Sequence, residues 1–479
     1  MPLAPGYRVV KESREVRFVP GDSPELRIHA QFTLVNSGTT DLAFADVNLP
    51  EEKIFGRSDL HAELDGHEVT LAPLPEEYQP ESPNALRLAF NPAWEKGKTA
   101  QLTIQYSFRS PADFGPRITL GPNDFHLGSR GWFPQLIPPK HFMAPEPTRP
   151  DKSEYTVRVP DGFSVLARGA LLSRKKEGAE IVYHYRLRSG DLAPFVVGGR
   201  YTASGDERKT IAIFWTLGAA KQDASAAEAQ IADVWNTLQS DFGPLDADKR
   251  SGTRTPHIVE AAELRSHVGR GPGPAAAAFP GGVLVNAAGL DLGLNSPEFL
   301  EMVTHALAHN WFGDQMYPNE DAGLGLSEGL PEYATIVAEQ SREGADGRHT
   351  RVLRYLNEYD AAVRRGTEKP LAVTLLTDPP EVRRIGLAKA PLFFVALEDA
   401  CGADAMHHSL ARMVALLRGR EVGYDDLRSA LEEAGGKPLG ELFRMWLNEK
   451  GIPEDFRERY EGKTHPPDAP PGRSRKMEK

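Results

Sequence analysis

One cysteine, Cys401, stands in 479 residues. No internal disulfide can form and no cysteine metal site exists. The residue is expected to be a small buried side chain ending a helix over 391–401. No apolar run approaches the eighteen residues or so that a transmembrane helix needs, so a membrane span is excluded. Positive charge is in the minority: 56 Lys and Arg face 67 Asp and Glu, for a net charge of −11. That balance argues against nucleic acid and anionic membrane as partners. The start, Met1-Pro2-Leu3-Ala4-Pro5-Gly6, lacks the apolar run of a secretory leader. A soluble chain is expected, cytoplasmic if Met1 is the native start and extracytoplasmic if a leader has been removed. No Ser-His-Asp or Cys-His arrangement can be assembled from the sequence.

What is present is enough for a multidomain α+β protein. The length suits two to four domains, and 40% hydrophobic residues can fill real cores. Period-two alternation marks the first two hundred residues. Ile28, Ala30, Phe32 and Leu34 face one way; so do Leu102, Ile104, Tyr106 and Phe108, then Tyr155, Val157 and Val159, then Ile181, Tyr183, Tyr185 and Leu187. These are half-buried antiparallel strands. The Pro-rich run from Phe133 to Pro150 reads as a long ordered loop. After Thr202-Ala203-Ser204-Gly205 the pattern changes to a strand over 211–215. A helix follows with Ile231, Val234, Trp235, Leu238 and Phe242 on one face, stopped by Gly243-Pro244. Helical periodicity then dominates to about residue 449. The expected organisation is a β domain over 1–204, an α/β domain over 205–345 and a helical region over 346–463. A Pro-, Lys- and Arg-rich tail over 464–479 is expected to be disordered.

One further absence concerns chemistry. In HExxH two histidines at i and i+4 share a helix face, and the glutamate beside the first works on a metal-bound water. Here His305-Ala306-Leu307-Ala308-His309 fills both ligand positions and puts alanine where the glutamate belongs. The pair alone is a weak signal, because 14 histidines in 479 residues give about 0.4 such pairs by chance. Its surroundings strengthen it. Ser296-Pro297-Glu298 is a helix start, with Ser as N-cap and Pro at the first position, and Gly313 is a plausible stop. Glu298, Met302, His305, His309 and Phe312 recur at three- and four-residue steps, so both imidazoles project from one stripe. Eighteen residues after His309 comes Glu328, behind Ser327 as an expected N-cap and ahead of Pro331 in or near a first turn. Two histidines on one helix and a carboxylate from the next make the His₂Glu set of zinc sites, with a fourth position open. Glu332 lies four residues further on the same face. It can orient a ligand histidine through that ring's second nitrogen, or simply be a solvated carboxylate.

Thr304-His305-Ala306-Leu307-Ala308-His309-Asn310-Trp311-Phe312-Gly313, followed by Leu326-Ser327-Glu328-Gly329, resembles the aminopeptidase N family of gluzincin zinc metallopeptidases. That pattern is HELAHxWFG, eighteen residues, then a glutamate in an SEG-type helix start. The resemblance implies a β-rich N-terminal half, a thermolysin-like α/β zinc domain and closing helices. It also implies one Zn²⁺ per chain on His305, His309 and Glu328, and a peptide or protein as substrate or ligand.

Three departures from that pattern point the same way. Ala306 replaces the general base. The GxMEN strand, whose glutamate holds a substrate's free amino group, corresponds to Ala275-Ala276-Ala277-Ala278-Phe279, which has no carboxylate. The Y-x-K-G tyrosine that stabilises the oxyanion corresponds to Leu387 of Leu387-Ala388-Lys389-Ala390, opening a helix at Pro391. A base contributes about 10²–10⁴-fold and an oxyanion donor about 10²–10³-fold. Hydrolysis is therefore expected to be lost or strongly reduced, in a natural pseudoenzyme or through an inactivating substitution, with the groove retained. The alternative is a working hydrolase with Glu301 or Glu332 as base. His407-His408, Arg364-Arg365 and Arg383-Arg384 read as surface charge, although the arginines could meet a substrate carboxylate. Gly281-Gly282 lacks the context of a nucleotide loop.

Overall fold

Alternating side chains need a partner strand, and the N-terminal third supplies them to itself. The computed structural model describes residues 6–49, 57–74, 85–109, 118–128, 132–136, 152–187, 194–205, 212–217, 224–245, 256–262, 264, 273–319 and 322–462. Most of the Pro-rich run ending at Pro150, and the tail over 464–479, lie outside the described residues. Eight strands form the largest sheet: β1 (Tyr7–Val19), β2 (Glu25–Asn36), β3 (Ser58–Leu64), β4 (His67–Glu68), β5 (Thr99–Phe108), β6 (Lys152–Pro160), β7 (Ala170–Glu177) and β8 (Glu180–Arg186). Their order is β7-β8-β6-β1-β2-β5-β3-β4. Ile28, Ala30, Phe32 and Leu34 are buried, as are Leu102, Ile104, Tyr106 and Phe108, and Phe18 stacks on Phe125 at 4.7 Å in the same core. The alternation is thus set by one buried face.

The sheet is antiparallel with one exception that the sequence reading did not anticipate. β1 and β6 run parallel, with Val16 opposite Val157. Parallel neighbours need a long crossover, and here more than a hundred residues separate the two strands. Two four-stranded sheets complete this β-rich part.

A second, five-stranded sheet is mixed. Its strands are β9 (Thr202–Ala203), β10 (Ile213–Thr216), β11 (His257–Glu260), β12 (Ala276–Phe279) and β13 (Gly282–Val285), ordered β9-β10-β11-β13-β12. β10, β11 and β13 are parallel and short, with Ile258, Val259, Val283, Leu284 and Val285 buried. This is the continuous apolar character of strands covered on both faces. Gly281-Gly282 closes the β12–β13 hairpin, a structural task.

Helices follow: α1 (Ser225–Phe242), α2 (Ala287–Leu290), α3 (Pro297–Ala308), α4 (Gly323–Ser327), α5 (Gly329–Val363), α6 (Pro380–Cys401), α7 (Ala403–Leu416), α8 (Tyr424–Gly435), α9 (Gly440–Asn448) and α10 (Glu454–Glu461). The chain divides into two compact units. One comprises Met1–Ala229 and Asp248–Phe299; the other comprises Gln230–Ala247 and Leu300–Lys479. No helix among the described residues is long and apolar enough to cross a membrane.

Helix boundaries hold some corrections. Ser296 caps α3 as read, its Oγ accepting from the Phe299 N–H at 3.1 Å. α3 ends at Ala308, a turn before Gly313. Ser327 is no N-cap, because α4 runs into α5 with helical backbone at Glu328 and the Glu328 N–H already donates to the Leu324 carbonyl. Pro391 does not open a helix. α6 starts eleven residues earlier, with Pro380 at its first position and Glu381 in its first turn, and Pro391 sits in its interior. Cys401 does end that helix but is only half-buried.

Candidate metal centre

His305 lies in the last turn of α3 and His309 follows directly after its final residue, Ala308, and the neighbouring residues fix which way the two imidazoles turn. Trp311 packs edge-on against Trp235 of α1 at 5.3 Å and donates from Nε1 to the Gly243 carbonyl at 2.7 Å. Phe312 packs against Phe242 at 5.1 Å. The Trp-Phe-Gly residues after His309 are therefore anchors rather than reagents.

The three expected ligands come together. His305 Nε2 lies 3.1 Å from His309 Nε2. Glu328 Oε2 lies 3.5 Å from His305 Nε2 and 3.7 Å from His309 Nε2. Tetrahedral zinc with bonds of about 2.1 Å holds its ligand atoms about 3.4 Å apart. The donor set fits that ion in type and spacing, and it forms the one histidine–carboxylate cluster of metal-binding size among the described residues.

Each imidazole is oriented through its other nitrogen. His305 Nδ1 lies 3.1 Å from Glu332 Oε1, and His309 Nδ1 lies 3.3 Å from the Phe312 carbonyl. Both Nε2 atoms are thereby directed at the common point. Tyr355 donates a hydrogen bond to the other oxygen of Glu332. It does so because α5 is two helical arms broken at Gly344, whose φ of 75° and ψ of −160° fold the second arm back. The same fold brings Arg351 and Arg354 to Glu301, at 2.6 Å from Arg351 Nη1 and 2.8 Å from Arg354 Nη1.

Charge follows geometry. Burial pushes His305 down, but the Glu332 and Glu328 carboxylates outweigh it and hold its pKa up at about 10. Burial raises Glu328, yet hydrogen bonds from His305 and His309 take it below the usual carboxylate range. Glu332 is lowered against burial by His305 and Tyr355. Such a concentration of negative charge around two imidazoles suits a divalent cation. Glu301 is likewise lowered, burial being overcome by Arg354 and Arg351.

Ala306 is buried beside His305 and brings no polar atom. Leu387 is half-buried in α6. It lies one turn before Ala390, and Ala390 and Phe394 pack on Gly329. A Cβ on Gly329 would stand 2.8 Å from each of them, so glycine is required beside Glu328. Leu387 therefore shares the α6 face that meets the start of α5.

Sequence reasoning missed Tyr355, Arg351 and Arg354, whose spacing on α5 carried no motif. It also treated His407 as surface. His407 Nε2 lies 3.1 Å from the Tyr333 hydroxyl and its ring packs on Phe242, whereas His408 is exposed.

Residues 293–446 match the Peptidase family M1 domain. Aminopeptidase N of Lactobacillus delbrueckii subsp. lactis is 28% identical over 159 residues, covering 32% of this chain and 19% of that protein. Aminopeptidase M1 of Arabidopsis thaliana is 26% identical over 171 residues, covering 33% and 18%. The matched stretch thus spans about a fifth of the length of these curated relatives. An M1 zinc metallopeptidase from Deinococcus radiodurans superposes with a TM-score of 0.62 at 18% identity, covering 94% of this chain and 96% of its own. A glutamate-to-alanine mutant of that protein, bound to a Tyr-Ser-Ala substrate, gives the same TM-score, identity and coverage. Aminopeptidase A of Legionella pneumophila gives 0.64 at 16% identity, covering 94% and 50%. The fold is that of M1 metallopeptidase structures, and the stretch over 293–446 is similar in sequence to the Peptidase family M1 domain.

Proposed function

We propose that this chain is a zinc-binding, peptide-binding protein of the M1 aminopeptidase type in which hydrolysis is lost or strongly reduced. His305, His309 and Glu328 hold one Zn²⁺, and Glu332 orients His305. A bound zinc would lower the pKa of a coordinated water toward about 7 and polarise a carbonyl. The chain's own residues supply little else. The observation that carries the reading is Ala306, because a methyl group can neither accept a proton nor return one to a leaving nitrogen. Leu387 offers no hydroxyl on the α6 face next to Glu328. The strand Ala276–Phe279 brings no carboxylate for a free α-amino group. A similar fold carrying a glutamate-to-alanine change holds a Tyr-Ser-Ala substrate, which supports peptide binding here.

The alternative, an active peptidase with Glu301 or Glu332 as base, asks for a carboxylate that is free to move a proton. Glu301 is engaged by two arginines and Glu332 by His305 and Tyr355. Elemental analysis alongside a peptidase assay tests the proposal. One zinc per chain, lost in His305→Ala, His309→Ala or Glu328→Ala, together with background turnover, is expected. Zinc-free protein from metal-replete medium sinks the metal site; brisk turnover sinks the silencing.

A further inference from the structure

The two arginine pairs, Arg364-Arg365 and Arg383-Arg384, have no place in the metal centre, and the fold brings the segments that carry them into contact. Arg364 and Arg365 directly follow Val363, the last residue of α5, and Arg383 and Arg384 lie near the start of α6. A Cβ on Gly366 would lie 2.9 Å from the Glu381 carbonyl, so the end of α5 touches the first turn of α6. Among the described residues none of the four arginines makes an ion pair. Arg383 instead donates from Nη1 to the Leu376 carbonyl at 3.2 Å. On a chain of net charge −11, four guanidinium groups without an ion pair among the described residues stand out, with Glu381 the carboxylate carried by the same contact.

The connection between these helices is apolar where loops are usually polar. Val363, Val373, Leu375 and Leu376 are 37%, 56%, 41% and 47% exposed. They make up four of the eight exposed large hydrophobic residues among those described, gathered in fourteen positions of the chain. Scattered apolar residues need no explanation, whereas a cluster rimmed by charge marks a contact surface. The loop is also held in shape. Asp378 accepts from the Leu375 N–H at 2.9 Å and from Lys369 Nζ at 2.6 Å, and Thr374 Oγ1 donates to the Pro370 carbonyl at 3.0 Å. A partner meeting these side chains therefore orders little of the loop on binding. The surface also borders the metal centre, because the Thr374 carbonyl accepts from the Leu324 N–H at 3.3 Å, one helical turn before Glu328.

We propose that this arginine- and leucine-bearing surface is a docking site for an acidic polypeptide segment with apolar residues among its carboxylates. The inference deepens the peptide-binding reading of the metal centre and rests on it for the class of partner. Arginine forks pair bidentately with carboxylates while Leu375, Leu376 and Val373 cover apolar side chains. An anionic bilayer fits less well. A membrane plane meets the whole negatively charged molecule, whereas a narrow segment meets the patch alone within a screening length of about 8 Å.

The test is fluorescence anisotropy with zinc-loaded full chain and a short fluorescein-labelled peptide alternating Glu or Asp with Leu. A second peptide carries Gln and Asn in place of the acids. The acidic peptide is expected to bind at least about tenfold more tightly, and raising salt should narrow the gap. Substituting R364Q, R365Q, R383Q and R384Q together should remove that advantage, and L375S with L376S should weaken both peptides. Unchanged zinc content in these variants keeps the result from being a folding defect. Zinc stripped by chelator should leave the acidic preference in place. That outcome separates this surface from the metal centre, because failure of the zinc site alone would not move it. Equal binding of the two peptides, or a fourfold variant that keeps the preference, overturns the proposal. Tighter sedimentation with phosphatidylserine vesicles than with neutral ones, abolished in the fourfold variant and without acidic-peptide preference, replaces it with a membrane contact.

Discussion

Glu332 and Glu301 are both glutamates one helical turn from a proposed metal ligand, yet they should respond to substitution in opposite ways. Glu332 touches His305 and is held by Tyr355, so under the proposal it would act on the metal through His305. Glu332→Ala should weaken zinc binding about 10–100-fold, read by competition with a chromogenic chelator, and Tyr355→Phe should shift it in the same direction by less. Glu301→Gln should leave zinc affinity unchanged and lower the unfolding free energy by about 1–3 kcal/mol, since it removes charge-assisted bonds to Arg351 and Arg354. Zinc affinity that follows Glu301 instead of Glu332 contradicts the assignment. His257 contributes acid sensitivity of its own between about pH 6.5 and 4. Burial pushes His257 down to about 4, and the Trp215 Nε1–H, 3.0 Å from its Nδ1, requires that nitrogen as an acceptor. The unfolded chain binds this proton near pH 6.5 and the folded chain only near 4, so the unfolded state holds more protons between those values. Stability is full above about pH 6.5 and falls as the pH drops toward 4, by at most about 3 kcal/mol. His257→Gln should flatten the thermal midpoint across that window; an unchanged slope would remove His257 as the cause. The convergence of His305, His309 and Glu328 was legible because the three carry a spacing. Tyr355 and Arg351 were not, since only the fold-back at Gly344 brings them to the site.

At the scale of the element, the contact between α5 and α6 decides where Glu328 stands. Gly329 admits Ala390 and Phe394 at a distance no side chain would allow. Gly329→Ala should push α6 away, lower stability by about 1–3 kcal/mol and weaken zinc binding, because Glu328 is its chain neighbour. Gly344→Ala is the comparison. At φ 75° an added Cβ strains the backbone by about 1–2 kcal/mol, but nothing lies within 4 Å of it, so the metal site should be less affected. Chelator competition and thermal melts on the two variants separate these effects, and a zinc affinity indifferent to Gly329→Ala contradicts the packing account. α6 also shows where sequence periodicity failed. Pro391 was read as a helix start, the usual meaning of proline before an apolar run. The stronger start signal, Pro379-Pro380-Glu381, lay eleven residues earlier at the end of a loop whose leucines disguise it.

At the scale of the molecule, the order of β-rich, mixed and helical regions was legible because local periodicity reports which faces are buried. Pairing between distant strands was not, and the parallel β1–β6 neighbours are the instance: Val16 and Val157 alternate like any antiparallel strand, and nothing local records direction. The proposed function divides in the same way: the fold is that of M1 metallopeptidase structures, and the proposed silencing rests on one side chain, Ala306. Hydrolysis of a peptide panel by the zinc-replete chain, beside its Ala306→Glu form, is the most direct measurement of that claim. The chain as written should stay at background, and Ala306→Glu should gain about 10²-fold or more. Zinc-dependent hydrolysis by the unaltered chain that disappears in Glu301→Gln or Glu332→Gln would contradict the account.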